Sequence, residues 1–239
     1  GHMFGSHSLP ITQSGDVNLV VGTYMMPEVF PTLEPIYAAD ATTIHVDLDT
    51  DAIAKNHPVE LGLLGDPAVT LAALAERLDA RLGAAHRSLA TERMAQGAQR
   101  NAEAVAATRA STTPDDDGSS GRLHFGTFMK ELAERMPADA LVFDEALTNS
   151  PALTAYLEPD TPGRFFQTRG GSLGSAIAGG LGLQAAAGDK PVFAFSGDGG
   201  GMYVIQALWS AIRHDLPIKF VVCNNRSYRL LQANIEQFW

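Results

Sequence analysis

The sequence predicts an α/β protein made of two doubly wound parallel-sheet domains, over residues 1–85 and 122–239, with a helical segment and linker over 86–121 between them. Three observations predict this. Residues 191–228 read as strand, helix and strand, a crossover unit whose two strands must run parallel. A second set of strand and helix signals occupies 16–82. Between the two sets stands TTPDDDGSSG, a linker by composition.

The 239 residues are 45% hydrophobic and 18% charged, which suits folded cores and excludes a disordered chain. A net charge of −10 with no basic run excludes a nucleic-acid footprint. No apolar run approaches the roughly 18 residues needed to cross a bilayer, so no membrane partner is expected. The single cysteine, Cys223, ends a buried-strand pattern, which rules out an intrachain disulfide, suits a reducing cytoplasm and favours a small core residue over a nucleophile.

The elements follow in order. Residues 16–22 form an apolar run closed by Gly22, 42–49 alternate as a second strand, and 59–64 give a third. Asp66 is placed to cap a helix with Pro67 in its first turn, and Leu71, Leu74, Leu78 and Leu82 recur on one face as its expected buried stripe. Asp47 and Asp49, at a strand end, read as solvated turn carboxylates rather than ligands. From 84 to 111 an Ala-rich helix is polar on most faces and weakly anchored. The acidic run Asp115, Asp116 and Asp117 reads as solvated linker, not a metal site. Beyond it, Phe128, Leu132 and Met136 mark a helix, and 140–143 a strand that delivers Asp144, Glu145, Thr148, Asn149 and Ser150 to the ligand-binding edge of the sheet. A short strand at 164–168 leads into Gly170-Gly171-Ser172-Leu173-Gly174, a Gly-rich turn that opens a helix to about residue 187. Gly180-x-Gly182-x-x-Ala185 lies inside that helix, so it fails the context a dinucleotide fingerprint requires.

The last unit carries the chemistry. Val192 to Phe195 is a buried strand, Gly197-Asp198-Gly199-Gly200-Gly201 a turn, and 202–214 a helix whose core face is Ile205, Leu208, Trp209 and Ile212. After Pro217 a strand over 218–223 ends at Asn224-Asn225. Asp198 and Asn225 therefore emerge on the same carboxyl edge of the sheet. The glycines let backbone N–H groups approach a phosphate. An Asp carboxylate, an Asn carbonyl and a main-chain carbonyl are hard oxygen ligands suited to Mg²⁺, so the local expectation is a diphosphate bound through Mg²⁺.

Gly197-Asp198-Gly199, then a helix and a strand, then Asn224-Asn225 resembles the thiamine diphosphate motif of the decarboxylase and acetolactate synthase superfamily. The resemblance implies thiamine diphosphate and Mg²⁺ as cofactors, with Asp198, Asn225 and the main-chain oxygen of Ser227 on the metal. It extends the cofactor contacts to Gly197, Gly199, Gly200 and Tyr228, and to Thr148 in the loop that helps hold the diphosphate. Gly170 to Gly174 is similar to the element that supports the cofactor rings: Gly171 supplies a main-chain carbonyl to the aminopyrimidine, and Leu173 props the bent cofactor.

In the same terms, 1–85 resembles the central domain, whose possible FAD or ADP the sequence leaves undetermined, and 122–239 the diphosphate-binding domain, incomplete at its end. The chain is expected to be a fragment or truncated product. The activating Glu is expected upstream of Gly1, so no catalytic residue is assigned within the chain. The implied function of the full-length parent is non-oxidative decarboxylation of a 2-oxo acid, and the whole protein is expected as a homodimer or homotetramer. Ser227-Tyr228 and the Leu173 element resemble benzoylformate decarboxylases; an acetolactate synthase-like carboligase, or a non-catalytic fragment that binds the cofactor weakly or not at all, are the alternatives. The loop 23–32 carries neither the His of the decarboxylases nor the Arg-Phe-Asp-Asp-Arg of the synthases.

Overall fold

A computed structural model describes residues 9–23, 35–113, 121, 123–167 and 172–238. The chain divides into two compact units, Gly1–Arg93 and Met94–Trp239.

The first unit holds α1 (Leu9–Thr12), β1 (Val17–Val21), β2 (Thr42–Asp47), β3 (Leu61–Leu64) and α2 (Pro67–Arg81). Its sheet is parallel in the order β1-β2-β3, with Leu19 beside Ile44 and Ile44 beside Leu61. Val20, Ile36, Val46 and Ala52 are its buried apolar residues. As the sequence predicts, Asp66 caps α2, its Oδ1 accepting from the Val69 N–H at 2.9 Å. The expected leucine stripe is corrected: Leu71, Leu74 and Leu78 are exposed, Leu82 is half-buried, and α2 has no buried residue. Spacing aligns side chains on a face, but a face becomes core only where another surface covers it.

Helix α3 (Ala84–Thr112) runs across the division and buries none of its side chains, in keeping with its polar pattern. In the second unit follow α4 (Phe125–Arg135), β4 (Leu141–Glu145), a 3-10 turn (Leu147–Asn149), α5 (Ser150–Tyr156), β5 (Phe165–Gln167), α6 (Ser175–Ala187), β6 (Val192–Gly197), α7 (Asp198–Met202), α8 (Ala207–Arg213), β7 (Lys219–Cys223) and α9 (Arg229–Phe238). The strands are parallel in the order β5-β4-β6-β7.

Strand periodicity divides this sheet into two faces. Val142 and Phe195 point to one face and pack with Met129 of α4, Leu153 of α5 and Ala146; the Phe125 ring stands edge-on to Phe195 at 6.5 Å. The other face receives α6. Its glycines permit a close approach, since a Cβ on Gly179 would overlap the Phe143 ring and one on Gly180 would press on Ala194. Helices on both faces make the sheet doubly wound, in line with the predicted α/β class.

One stretch differs from its expected form. Residues 198–202 are already helical, the ladder breaks over 203–206, and α8 resumes at Ala207, where the sequence suggests a turn and one continuous helix. Three successive glycines favour helix poorly, and only a single turn forms before the break. The expected core face is also corrected: Ile205, Trp209 and Ile212 are 48%, 67% and 79% exposed, Leu208 is half-buried, and the small Ala211 is the buried contact of α8.

Candidate functional site

Strand order places the crevice. From β4 the chain leads to β5 on one side, and from β6 it leads to β7 on the other. The carboxyl ends of β4 and β6, paired at Glu145 and Ser196, are therefore a topological switch point, where open α/β sheets bind ligands. Gly197 pairs with Cys223, so Asp198 and Asn225 leave adjacent strands at this same edge.

Gly197 is extended (φ −74°, ψ 160°) and precedes α7 with no side-chain cap on the N–H groups of that turn. A Cβ on Gly197 would meet nothing within 4 Å, so the space above it is open. Asp198 is half-buried, Gly199 is exposed and Gly200 is buried. Tyr228, 68% exposed, holds its Cε1 3.9 Å from where a Gly199 Cβ would stand, so it borders the glycine turn.

The loop after β7 is shaped by its own side chains. Asn224 Oδ1 accepts from the Arg226 N–H at 3.1 Å and Asn225 Oδ1 from the Ser227 N–H at 2.9 Å. Arg226 between them is left-handed, with φ 54°, a conformation the two flanking turns impose. Ser227 Oγ and Gln232 Oε1 stand 2.9 Å apart, joining the loop to α9. An amide oxygen has two lone pairs, so Asn225 retains acceptor capacity toward a cation.

Thr148 is exposed in the 3-10 turn, after Leu147 with φ 52°. Leu173 is half-buried and directly precedes Gly174, which is left-handed (φ 87°) and leads into α6. Gly171, the acidic run Asp115 to Asp117 and most of the 23–32 loop lie outside the described residues.

Asp144 and Glu145 are corrected from their expected place on an open crevice: they are 0% and 2% exposed. Alternation sends them to opposite faces of the sheet. On the α4/α5 face, Asp144 accepts from the Ala146 N–H at 2.8 Å, Ser150 Oγ at 2.9 Å and Gln167 Nε2 at 3.1 Å. On the α6 face, Glu145 accepts from the N–H groups of Gly174 and Ala176. Burial pushes both carboxyls above their ordinary range, opposed by these donors. Their place at the end of an apolar strand is legible in the sequence, whereas the layers covering that end are not. Burial likewise raises the Cys223 thiol to about 11, with the charges of Asp144 and Asp198 adding to it; Cys223 is an inert, half-buried residue, as expected.

These residues fit a metal-bridged diphosphate. The uncapped glycine turn supplies donors and room, and Asp198 with Asn225 supplies hard oxygens. Among the described residues no group of three or more His, Cys, Asp or Glu side chains is arranged to hold a metal, and a set of one carboxylate, one amide and one main-chain carbonyl is of a different kind.

Comparison with known proteins singles out the same region of the chain. Residues 148–238 match the family described as thiamine pyrophosphate enzyme, C-terminal TPP binding domain. Sulfoacetaldehyde acetyltransferase of Alcaligenes xylosoxydans xylosoxydans is 26% identical over 100% of this chain and 42% of its own length. Benzoylformate decarboxylase of Pseudomonas aeruginosa is 32% identical over 40% of this chain and 18% of its own. The crystal structure of benzoylformate decarboxylase from Polynucleobacter necessarius superimposes with a TM-score of 0.70 at 19% identity, covering 99% of this chain and 41% of that one, a likeness of fold. The chain thus spans about two fifths of the length of the relatives it matches end to end. With the switch-point site in place, these matches make residues 148–238 similar to the C-terminal TPP binding domain of thiamine pyrophosphate enzymes, and the chain as a whole similar to sulfoacetaldehyde acetyltransferase and acetolactate synthase large subunits.

Proposed function

We propose that the full-length protein is a thiamine diphosphate- and Mg²⁺-dependent enzyme that decarboxylates a 2-oxo acid without oxidation. The observation that carries this reading is the placement of Asp198, the open glycine turn and Asn225 on one switch-point edge. Bound there, thiamine diphosphate supplies a carbon nucleophile and an electron sink for a 2-oxo acid. The chain's own part is positioning. Asp198, Asn225 and the Ser227 carbonyl hold Mg²⁺, the N–H groups at Gly199 and Gly200 receive phosphate oxygens, and Thr148 and Tyr228 border the same edge. Gly171 and Leu173 orient the rings.

Decarboxylation is favoured by the Leu173 element and the Ser227-Tyr228 pair, and by the 32% identity to a benzoylformate decarboxylase over 40% of the chain. A second reading, acyl transfer or carboligation, is favoured by the acetyltransferase that aligns over 100% of the chain. Product analysis with an aromatic and an aliphatic 2-oxo acid separates the two: an aldehyde supports decarboxylation, a coupled product the second reading. The exposed apolar residues Trp209 and Ile212 support assembly as a homodimer or homotetramer. The metal assignment is tested by calorimetry on full-length Asp198→Ala, which should lose Mg²⁺-dependent cofactor binding, since Asp198 is the sole charged protein ligand proposed. Unchanged affinity would remove Asp198 from the site.

A further inference from the structure

Glu145 stands where the two glycine turns meet. One carboxylate oxygen accepts from the N–H of left-handed Gly174 and the other from the N–H of Ala176 at 2.7 Å, so both oxygens grip the first turn of α6. On the opposite side, a Cβ on Gly200 would come within 3.0 Å of Glu145 Oε1 and 3.2 Å of Ser196 Oγ. A Cβ on Gly174 would in turn meet Val204 Cγ2 at 2.8 Å and the Gly200 carbonyl oxygen at 3.4 Å. Gly174 and Gly200 therefore approach each other, with one buried carboxylate wedged beside them. A shorter side chain would not reach both N–H groups, and an amide would set an NH₂ against one of them.

We propose that Glu145 is a positioning residue that holds Leu173, through Gly174, at a fixed distance from the Gly197 to Gly200 turn, so that one cofactor engages both. This rests on the cofactor reading above. The backbone N–H groups that Glu145 accepts from are both in the α6 turn and toward β6 it meets the Ser196 side chain, whereas Asp198 and Asn225 sit on the connections that follow β6 and β7. A ligand that uses only the metal and the glycine turn should therefore depend on Glu145 less than a ligand that must also rest on Leu173.

The test uses the full-length protein and two ligands with Mg²⁺: inorganic pyrophosphate, which occupies only the diphosphate position, and thiamine diphosphate. Calorimetry on Glu145→Gln should show thiamine diphosphate affinity lowered at least about tenfold more than pyrophosphate affinity, because misplacement of a supporting group falls on the ligand that needs it. Glu145→Asp, which keeps the charge but shortens the reach, should show the same selective loss, and it serves as the measured variant should Glu145→Gln not fold. An equal loss for both ligands, or a lowered melting temperature with both affinities unchanged, would make Glu145 a structural helix cap and overturn the proposal. Wild-type protein that binds neither ligand would overturn the cofactor reading, and the proposal with it.

Discussion

The two parallel sheets of this chain are built from the same kind of sequence and end in different states. In the second unit Val192, Ala194, Phe195 and Ser196 of β6 are all buried, while in the first all four residues of β3 are exposed. Both units carry helices with apolar residues at helical spacing, yet α4 and α5 contribute Met129 and Leu153 at 0% exposure, and α2 contributes no buried residue. The difference teaches that pattern assigns a residue to a face, and that the number of covering layers decides whether the face is core. The sheet with helices on both faces is also the one that carries the candidate site, and its strand register is what brings the residues after β6 and β7 to one edge.

The comparison breaks most sharply at Phe195. Removing this fully buried ring by Phe195→Ala should cost about 3–5 kcal/mol in chemical denaturation. A loss below about 1 kcal/mol would mean that the second core is no better filled than the first. A smaller effect is expected at Asp144, whose carboxyl burial raises above the usual range. The folded protein then binds its proton more tightly than the unfolded chain, so the stability Asp144 contributes is complete below its unfolded value and is lost as pH rises through the raised one. The stability difference between wild type and Asp144→Asn should accordingly be larger in favour of wild type near pH 4 than at pH 7, and a pH-independent difference would contradict the burial. Least affected is the first unit: Leu74→Ala on exposed α2 should change stability by no more than about 0.5 kcal/mol. A cost several times larger would show that α2 is covered in the full protein, and would turn the exposed leucines into an interface.

Much of this was legible in the residues. The strand starts, the Asp66 cap, the extent of α3 and the carboxyl-edge placement of Asp198 and Asn225 follow from apolar runs, capping chemistry and crossover geometry, all local properties. What escaped depends on contacts distant in sequence. Leu71, Trp209 and Ile212 have the spacing of core residues without the cover, and Asp144 and Glu145 have the charge of surface residues beneath helices that bury them. The break over 203–206 escaped for a different reason: the apolar period continues through it, while the backbone preference of three glycines does not.

The strand order has a last consequence, for the sequence of events in folding. Leu141 lies beside Val192, so the central pair of the second sheet closes only after α5, β5 and α6 have been looped out between its strands. Such a distant pairing bears its loop-closure entropy before any contact rewards it, which makes it a late step. The β6–β7 crossover is more local, so the Asp198 and Asn225 edge can assemble early while the Glu145 side of the crevice waits for β4. Since a ligand stabilises by mass action whatever state presents its site, diphosphate added during refolding acts on the early β6–β7 step rather than on the closure of β4.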